Sequence, residues 1–282
     1  MIRVAAIQMT STANLDANLR NAEQSLQQAA GQGAELILLP ENFACYGGDY
    51  LAVAEAHGDA LQAWLAHWAR TLGVTLIGGS IPLAQRPDGT PVPGGRVRTS
   101  SLMINPHGEC IGRYDKLHLF DVHVADGQGR YCESAVFEPG NRLLVRAAGE
   151  LQVGLLICYD LRFALLARAL ANAGANLLVY PSAFTEVTGA AHWHLLLRAR
   201  AVETGCYVLA ANQCGQHNDK RRSYGHSLLV NPWGEIVAEL DNAPGVLLAD
   251  IDLGRLQQIR DNLPLHQHQR LAVELPDDLC FD

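Results

Sequence analysis

The chain has 282 residues, 49% of them hydrophobic and 18% charged, with a net charge of −8 at pH 7. That length carries one large core or two fused half-domains, and a charged fraction below the roughly 25% of ordinary soluble proteins suits a many-layered fold or a subunit that hides surface in an oligomer. The acidic balance, with no basic run beyond Lys220-Arg221-Arg222, argues against a nucleic-acid partner, and no apolar stretch reaches the roughly 20 residues of a membrane span.

Residues 3–9 read as a core strand, without the apolar stretch and small-residue cleavage site of a secretory leader. A helix over about 14–30 runs out at Gly33, where a glycine C-cap is expected. Residues 36–39 are continuously apolar, the pattern of a short strand buried on both faces, and lead straight into Pro40 and Glu41. A second helix over about 59–72 precedes a strand at 74–79. Residues 84–98, rich in Pro, Gly and Arg, read as a surface loop. A hairpin then turns at Asn105-Pro106-His107-Gly108 and delivers Lys116. Residues 121–142, which contain Glu133, read as a second surface loop.

The same order then starts again. A strand over 151–158 ends on Cys158, a helix follows over about 161–173, and Gly174 stands where Gly33 stood. A strand at 177–180, a helix at 190–204 and a strand at 206–211 lead to a second hairpin at Asn231-Pro232-Trp233-Gly234. Local sequence repeats as well. Gly33-Ala34-Glu35-Leu36-Ile37-Leu38-Leu39-Pro40 returns as Gly174-Ala175-Asn176-Leu177-Leu178-Val179-Tyr180-Pro181, and Ser101-Leu102-Met103-Ile104-Asn105-Pro106 as Ser227-Leu228-Leu229-Val230-Asn231-Pro232. Two similar αβ halves related by an approximate two-fold axis follow from this. Their sheets should pack face to face with helices outside both, an α/β fold of the four-layer αββα sandwich type. No linker separates independent units, so residues 1–282 read as a single domain. The polar, His-rich stretch over about 255–282 reads as a C-terminal arm that packs on a partner subunit.

Three residues sit at strand ends where such a sandwich would converge on one rim. Cys158 lies at a strand-to-helix elbow, and a thiolate is favoured near a helix N-terminus. Glu41 lies just past a buried strand. Lys116 precedes Leu117, Leu119 and Phe120, which suggest a partly buried segment, and a buried lysine needs a partner. Each has a plainer reading: core packing for Cys158, a helix cap for Glu41, a solvated side chain for Lys116. The seven cysteines form no CxxC pair. Their odd number and scatter fit free thiols in a reducing compartment, hence the cytoplasm. His192-Trp193-His194 and His266-Gln267-His268 lack the i, i+4 spacing of helical metal ligands. No metal or other cofactor is expected.

The stretches Leu39-Pro40-Glu41, Lys116-Leu117-His118-Leu119-Phe120 and Ile157-Cys158-Tyr159-Asp160-Leu161-Arg162-Phe163 strongly resemble the Glu, Lys and Cys motifs of the nitrilase (carbon–nitrogen hydrolase) superfamily. The resemblance spans roughly residues 1–272. It implies the αββα sandwich, a homodimer or higher homo-oligomer, and a Glu-Lys-Cys triad that hydrolyses a small linear amide through a thioester. Glu41 would then be general base, Cys158 nucleophile, and Lys116 with the Tyr159 N–H the oxyanion donors. Glu133 would be a second carboxylate that orients Lys116 or the substrate.

Within the superfamily the chain looks most like the deaminated-glutathione amidase branch, on Gly127-Gln128-Gly129 with Cys132-Glu133-Ser134, on Leu197-Arg198-Ala199-Arg200-Ala201, and above all on Gln213-Cys214-Gly215 through Lys220-Arg221-Arg222-Ser223-Tyr224-Gly225-His226-Ser227. That branch cleaves its amide to 2-oxoglutarate and cysteinylglycine. The alternative within the same chemistry is ω-amidase action on 2-oxoglutaramate, whose branch lacks the Gln-Cys-Gly loop. An anionic substrate calls for cationic anchors. Arg162 can serve, as can Lys220, Arg221 and Arg222 if their loop folds over the pocket; Tyr46 and Thr188 are further pocket candidates. The sequence departs from the family at Ala164-Leu165, where Pro-Glu is common, and at Ala190, where proline is common. A catalytically silent scaffold and a papain-like Cys-His enzyme are the competing readings outside this chemistry.

Overall fold

Along the first strand, Ile2–Gln8, successive side chains go to opposite faces, and in the computed structural model, which describes residues 1–272 and 274–282, both faces are covered. Val4 and Ala6 join a core shared with the second sheet, whereas Ala5 and Ile7 join a core beneath helices α1 (Leu15–Gly31) and α2 (Tyr50–Leu72). Leu36 and Leu38 part from Ile37 and Leu39 in the same way. This double burial is why these strands are apolar without alternation.

The first sheet is seven-stranded. It runs Gly245–Ile251, Ile2–Gln8, Leu36–Leu38, Thr75–Ile77, Arg98–Ile104, and the last of these pairs with both Ile81–Leu83 and Cys110–Asp115. The second, six-stranded, runs Val145–Ala148, Leu151–Leu155, Leu177–Ser182, Tyr207–Asn212, Leu228–Val230, Ile236–Glu239. Read from that first edge, both sheets pair antiparallel, parallel, parallel, antiparallel, antiparallel. Helices α3 (Ala164–Asn172) and α4 (Glu186–Thr204) cover the outer face of the second sheet, completing the αββα sandwich of two similar αβ halves. The repeat extends to detail. Each hairpin has a register shift just before its turn, at Met103/Ile104 and Leu229/Val230. The Oδ1 atoms of Asn105 and Asn231 then accept from the residues two and four further on, at 2.9 Å and 3.0 Å respectively.

Several boundaries differ from the sequence reading for local reasons. Helix α2 starts at Tyr50 rather than near 59, because Asp49 caps it through the Ala52 N–H at 3.0 Å. Helix α4 likewise starts at Glu186, capped by Thr185. The strand expected over 151–158 ends at Leu155, and a 3₁₀ turn over Cys158–Arg162 intervenes before α3. Residues 121–142 are more than a surface loop. They hold a short hairpin, Asp121–His123 with Arg130–Cys132, and bury Tyr131 and Phe137. Parts of the stretch over 255–282 also contact their own chain. Arg260 of the helix Leu253–Asn262 donates to the Gly205 and Ala175 carbonyls at 2.8 Å, and Cys280–Phe281 pairs parallel with Arg142–Leu143. Val273, within that stretch, lies outside the described residues. No helix among the described residues is long and apolar enough to cross a membrane.

Candidate active site

The strand Leu151–Leu155 and the 3₁₀ turn Cys158–Arg162 form a sharp elbow at Cys158, whose φ of 47° is left-handed and rare for a side chain with a Cβ. Such a conformation costs on the order of 1–3 kcal/mol and persists only when its surroundings over-determine it. Asp160 supplies that constraint. Fully buried, its carboxylate accepts from the Ile157 N–H at 2.9 Å, the His118 N–H at 3.1 Å and the Tyr114 hydroxyl at 2.7 Å, and lies 2.8 Å from His118 Nδ1. One carboxylate therefore ties the elbow to the hairpin strand Cys110–Asp115, which ends just before Lys116.

Glu41 follows the buried strand Leu36–Leu38. Its carbonyl accepts from Gln213 Nε2 at 3.0 Å, and the next residue, Asn42, holds a φ of 56° with its N–H on Ser80 Oγ. The neighbouring bend at Gly79 can only be glycine, since a Cβ there would stand 2.1 Å from the Pro40 carbonyl oxygen. Lys116 is pinned by backbone bonds to Thr99 and Gly140. Its Nζ, with the residue 1% exposed, lies 2.8 Å from Glu41 Oε1 and 2.9 Å from Glu133 Oε2. Glu133 Oε2 also accepts the Phe120 N–H at 2.8 Å, which fixes that carboxylate.

Two carboxylates around one ammonium set the electrostatics. Burial raises the Glu41 carboxyl above its ordinary value; Lys116 opposes the rise and Glu133 adds to it. Burial by itself would lower the Lys116 ammonium, but the charges of Glu133 and Glu41 outweigh it and hold the group well above the ordinary lysine value. Burial, reinforced by the Glu41 charge, pushes the Cys158 thiol well up. The resting sulfur is thus a protonated thiol beside a carboxylate able to take its proton.

A cavity of about 100 Å³ opens on Glu41, Glu133 and Cys158, and Tyr159, Arg162, Tyr46, Thr188 and Arg221 also line it. Lys116 lies behind this lining, beneath the two carboxylates. Lys220 and Arg222, expected as anchors alongside Arg221, do not line the cavity: both are exposed, and Arg222 pairs with Glu186 at 3.3 Å. Arg221 alone of the three lines the cavity, in the connection between the strands Cys214–Gln216 and Arg222–Tyr224. Tyr46 is buried against the His217 ring at a centroid distance of 4.0 Å, and burial raises its hydroxyl to about 12. Burial lowers His217 to about 4, so its ring is neutral at ordinary pH.

Sequence reasoning did not single out Asn42, Tyr50, Phe120 or Tyr131 of the lining, nor Asp160 beneath it. Asn42, Tyr50 and Tyr131 carry no motif of their own, and Phe120 and Asp160 stood inside the lysine and cysteine motifs without a role. Among the described residues, the group that could hold a metal is elsewhere. His194, His226 and Glu239, none of which lines the cavity, place their ligand atoms within 4.8 Å of one another, with both imidazoles bonded to one carboxylate oxygen at 2.6 and 2.9 Å.

Replacing Asp160 by Asn puts an amide N–H₂ against donors that require an acceptor. Asp160→Asn is expected to lower kcat of amide hydrolysis by about 10² with little change in KM, through misplacement of the elbow. Iodoacetamide alkylation of Cys158 should slow in parallel. An unchanged alkylation rate in a folded variant would refute this role.

Cys158 and Glu41 thus open on one cavity, with the buried Lys116 ammonium paired to Glu41 and Glu133. Residues 3–261 match the carbon–nitrogen hydrolase family. The chain is 43% identical over 274 residues to a human deaminated glutathione amidase (95% of this chain, 82% of that one) and 37% identical over 271 residues to an ω-amidase of Danio rerio (95% and 94%). Among solved structures it resembles the C. elegans NitFhit protein, with a TM-score of 0.87 and 34% identity over 98% of this chain and 67% of that one. It also resembles an amidase of Nesterenkonia sp., with a TM-score of 0.77 and 30% identity over 95% and 99%, in which acrylamide has added to the active-site cysteine. The chain belongs to the carbon–nitrogen hydrolase family.

Proposed function

We propose that the chain is an amidase that hydrolyses the amide of deaminated glutathione to 2-oxoglutarate and cysteinylglycine, a metabolite-repair reaction. The observation that carries this reading is one cavity holding Cys158 and Glu41 together with two guanidiniums, Arg162 and Arg221, that form no ion pair among the described residues. A linear amide with a carboxylate at each end suits that charge pattern. The names of the human and cyanobacterial relatives support the same substrate.

The geometry supports the following chemistry. Glu41 takes the Cys158 proton as the sulfur attacks the amide carbon, a contribution of about 10²–10⁴. The oxyanion is met by the Lys116 ammonium and the Tyr159 N–H, each of which is worth on the order of 10²–10³. Glu133, bonded to Lys116 Nζ and fixed by Phe120, keeps that ammonium charged and in place. Glu41 then returns the proton to the amide nitrogen, the C–N bond breaks and the amine leaves. Water attacks the thioester with Glu41 again as base, releasing the acid and restoring the thiol.

The exchange of edge strands, Gly245–Ile251 in the first sheet and Val145–Ala148 in the second, supports one catalytic domain over residues 1–282. Exposed Leu165 on α3 and Val187, Leu195 and Val202 on α4 support a homodimer or higher homo-oligomer. Seven free cysteines support a reducing, cytoplasmic setting.

The test is 2-oxoglutarate release from deaminated glutathione and from 2-oxoglutaramate, with Cys158→Ala as control. The expected result is a preference for the peptide-bearing amide of at least tenfold in kcat/KM, abolished in the variant. The reverse preference would make the enzyme an ω-amidase with the same three residues, a reading the Danio rerio relative supports.

A further inference from the structure

Arg221 has five N–H donors and spends none of them: among the described residues its guanidinium makes no side-chain hydrogen bond and no ion pair, and it lies between the rings of Tyr46 and Tyr131, 5.7 and 5.5 Å from their centroids. An unspent guanidinium between aromatic faces is poised for an incoming carboxylate. Its position is as telling as its chemistry. Arg221, Tyr50 and Val136 line the catalytic cavity and also a second, larger groove of about 640 Å³, where Lys220 and the glycines Gly47, Gly48 and Gly95 appear. Asp49 and Asp219 face the same groove, and Asp49 is engaged as the α2 cap. Arg221 thus stands at the boundary between the reacting centre and the outside.

The mechanism decides which half of the substrate meets it. Glu41 must hand its proton to the leaving nitrogen, so the amine half lies on the Glu41 side of the scissile carbonyl. The loop bearing Arg221 is built onto that side. Gln213 donates to the Glu41 carbonyl at 3.0 Å, and the His217 ring packs tilted against Tyr46, which Arg221 covers in turn. Arg162, four residues beyond the nucleophile and resting on Phe184 and Tyr159, remains for the acyl half.

We propose that Arg221 is the residue that selects the amine half of the substrate, binding the terminal carboxylate of an anionic, peptide-like leaving group, and that the groove beyond it is that group's path out. This rests on the amidase reading above and narrows it: amides whose amine portion carries a carboxylate are favoured over primary amides because Arg221 has nothing else to bind.

The test compares wild type, Arg221→Met and Arg221→Lys on three amides: deaminated glutathione, the same compound with its terminal carboxylate converted to a carboxamide, and 2-oxoglutaramate. Arg221→Met is expected to lower kcat/KM for deaminated glutathione about 10²-fold, chiefly through KM, and Arg221→Lys to restore part of it. The falls on the two substrates lacking that carboxylate should be at least tenfold smaller. Equal falls on all three would mean that Arg221 merely shapes the wall with Tyr46 and Tyr131, and the proposal alone would be overturned. A wild type that hydrolyses none of the three overturns the amidase reading, and this assignment with it.

Discussion

Replacing Glu41 by Gln is expected to lower the rate of Cys158 acylation by about 10²–10⁴ while leaving the fold intact. The substitution keeps the shape and the contact with Lys116 Nζ but removes the carboxylate that, among the described residues, bonds both the lysine and the thiol. Because burial pushes the Cys158 thiol well up, the sulfur has no standing thiolate population to fall back on. The base is required in its charged form. Activity should therefore be full above the Glu41 pKa and disappear as pH falls through it. Burial raises that value, so the acid limb of kcat/KM should sit above the roughly 4.3 of an ordinary glutamate. Single-turnover acylation across pH measures both effects. A papain-like enzyme would instead keep acylating in Glu41→Gln and fail when a histidine is removed.

The second large effect is expected at Lys116→Met. Catalysis loses an oxyanion donor, about 10²–10³ in rate, but stability should suffer as well. The ammonium separates Glu41 from Glu133 at 2.8 and 2.9 Å, with the lysine side chain fully buried. Without it, two carboxylates face each other with no counter-charge, and removing one member of a buried ion cluster costs about 3–5 kcal/mol. The Glu41 carboxyl, already raised by burial, would then hold its proton more tightly in the folded than in the unfolded chain. The native state binds more protons, so the variant should gain stability as pH falls and lose it as pH rises. Urea unfolding of both proteins at pH 5 and pH 7.5 checks this: the deficit should shrink at the lower pH. A pH-independent deficit would assign Lys116 to packing alone.

Much of this molecule is legible along the chain because the signals are local. Apolar runs such as Leu36–Leu38 and Leu177–Ser182 announce strands buried on both faces, and the two Asn-Pro-x-Gly turns announce their hairpins through hydrogen bonds that span four residues. Repetition of these signals in one order revealed the two halves, and hence the layers. Glu41, Lys116 and Cys158 stood out for a related reason: each closes or follows one of those strands, where a sheet ends and a rim begins. The caps Asp49 and Thr185 were equally local and lengthened the helices.

What only the tertiary structure decided are the contacts between residues far apart. Lys116 and Glu41 meet across a separation of 75 residues, and Tyr114 and Asp160 across 46. No periodicity encodes such a meeting; it depends on how the two sheets stack. The same holds for residues 121–142, polar enough to read as a loop until Tyr131 and Phe137 found a core to enter. It holds for Lys220-Arg221-Arg222 too. Three adjacent cations are equivalent as letters, and only the packing of Arg221 over Tyr46 and Tyr131 made it the one that lines the cavity. Local sequence and its resemblance to known motifs thus singled out Cys158, Glu41 and Lys116, whereas burial and long-range packing set their electrostatics and chose their cationic company.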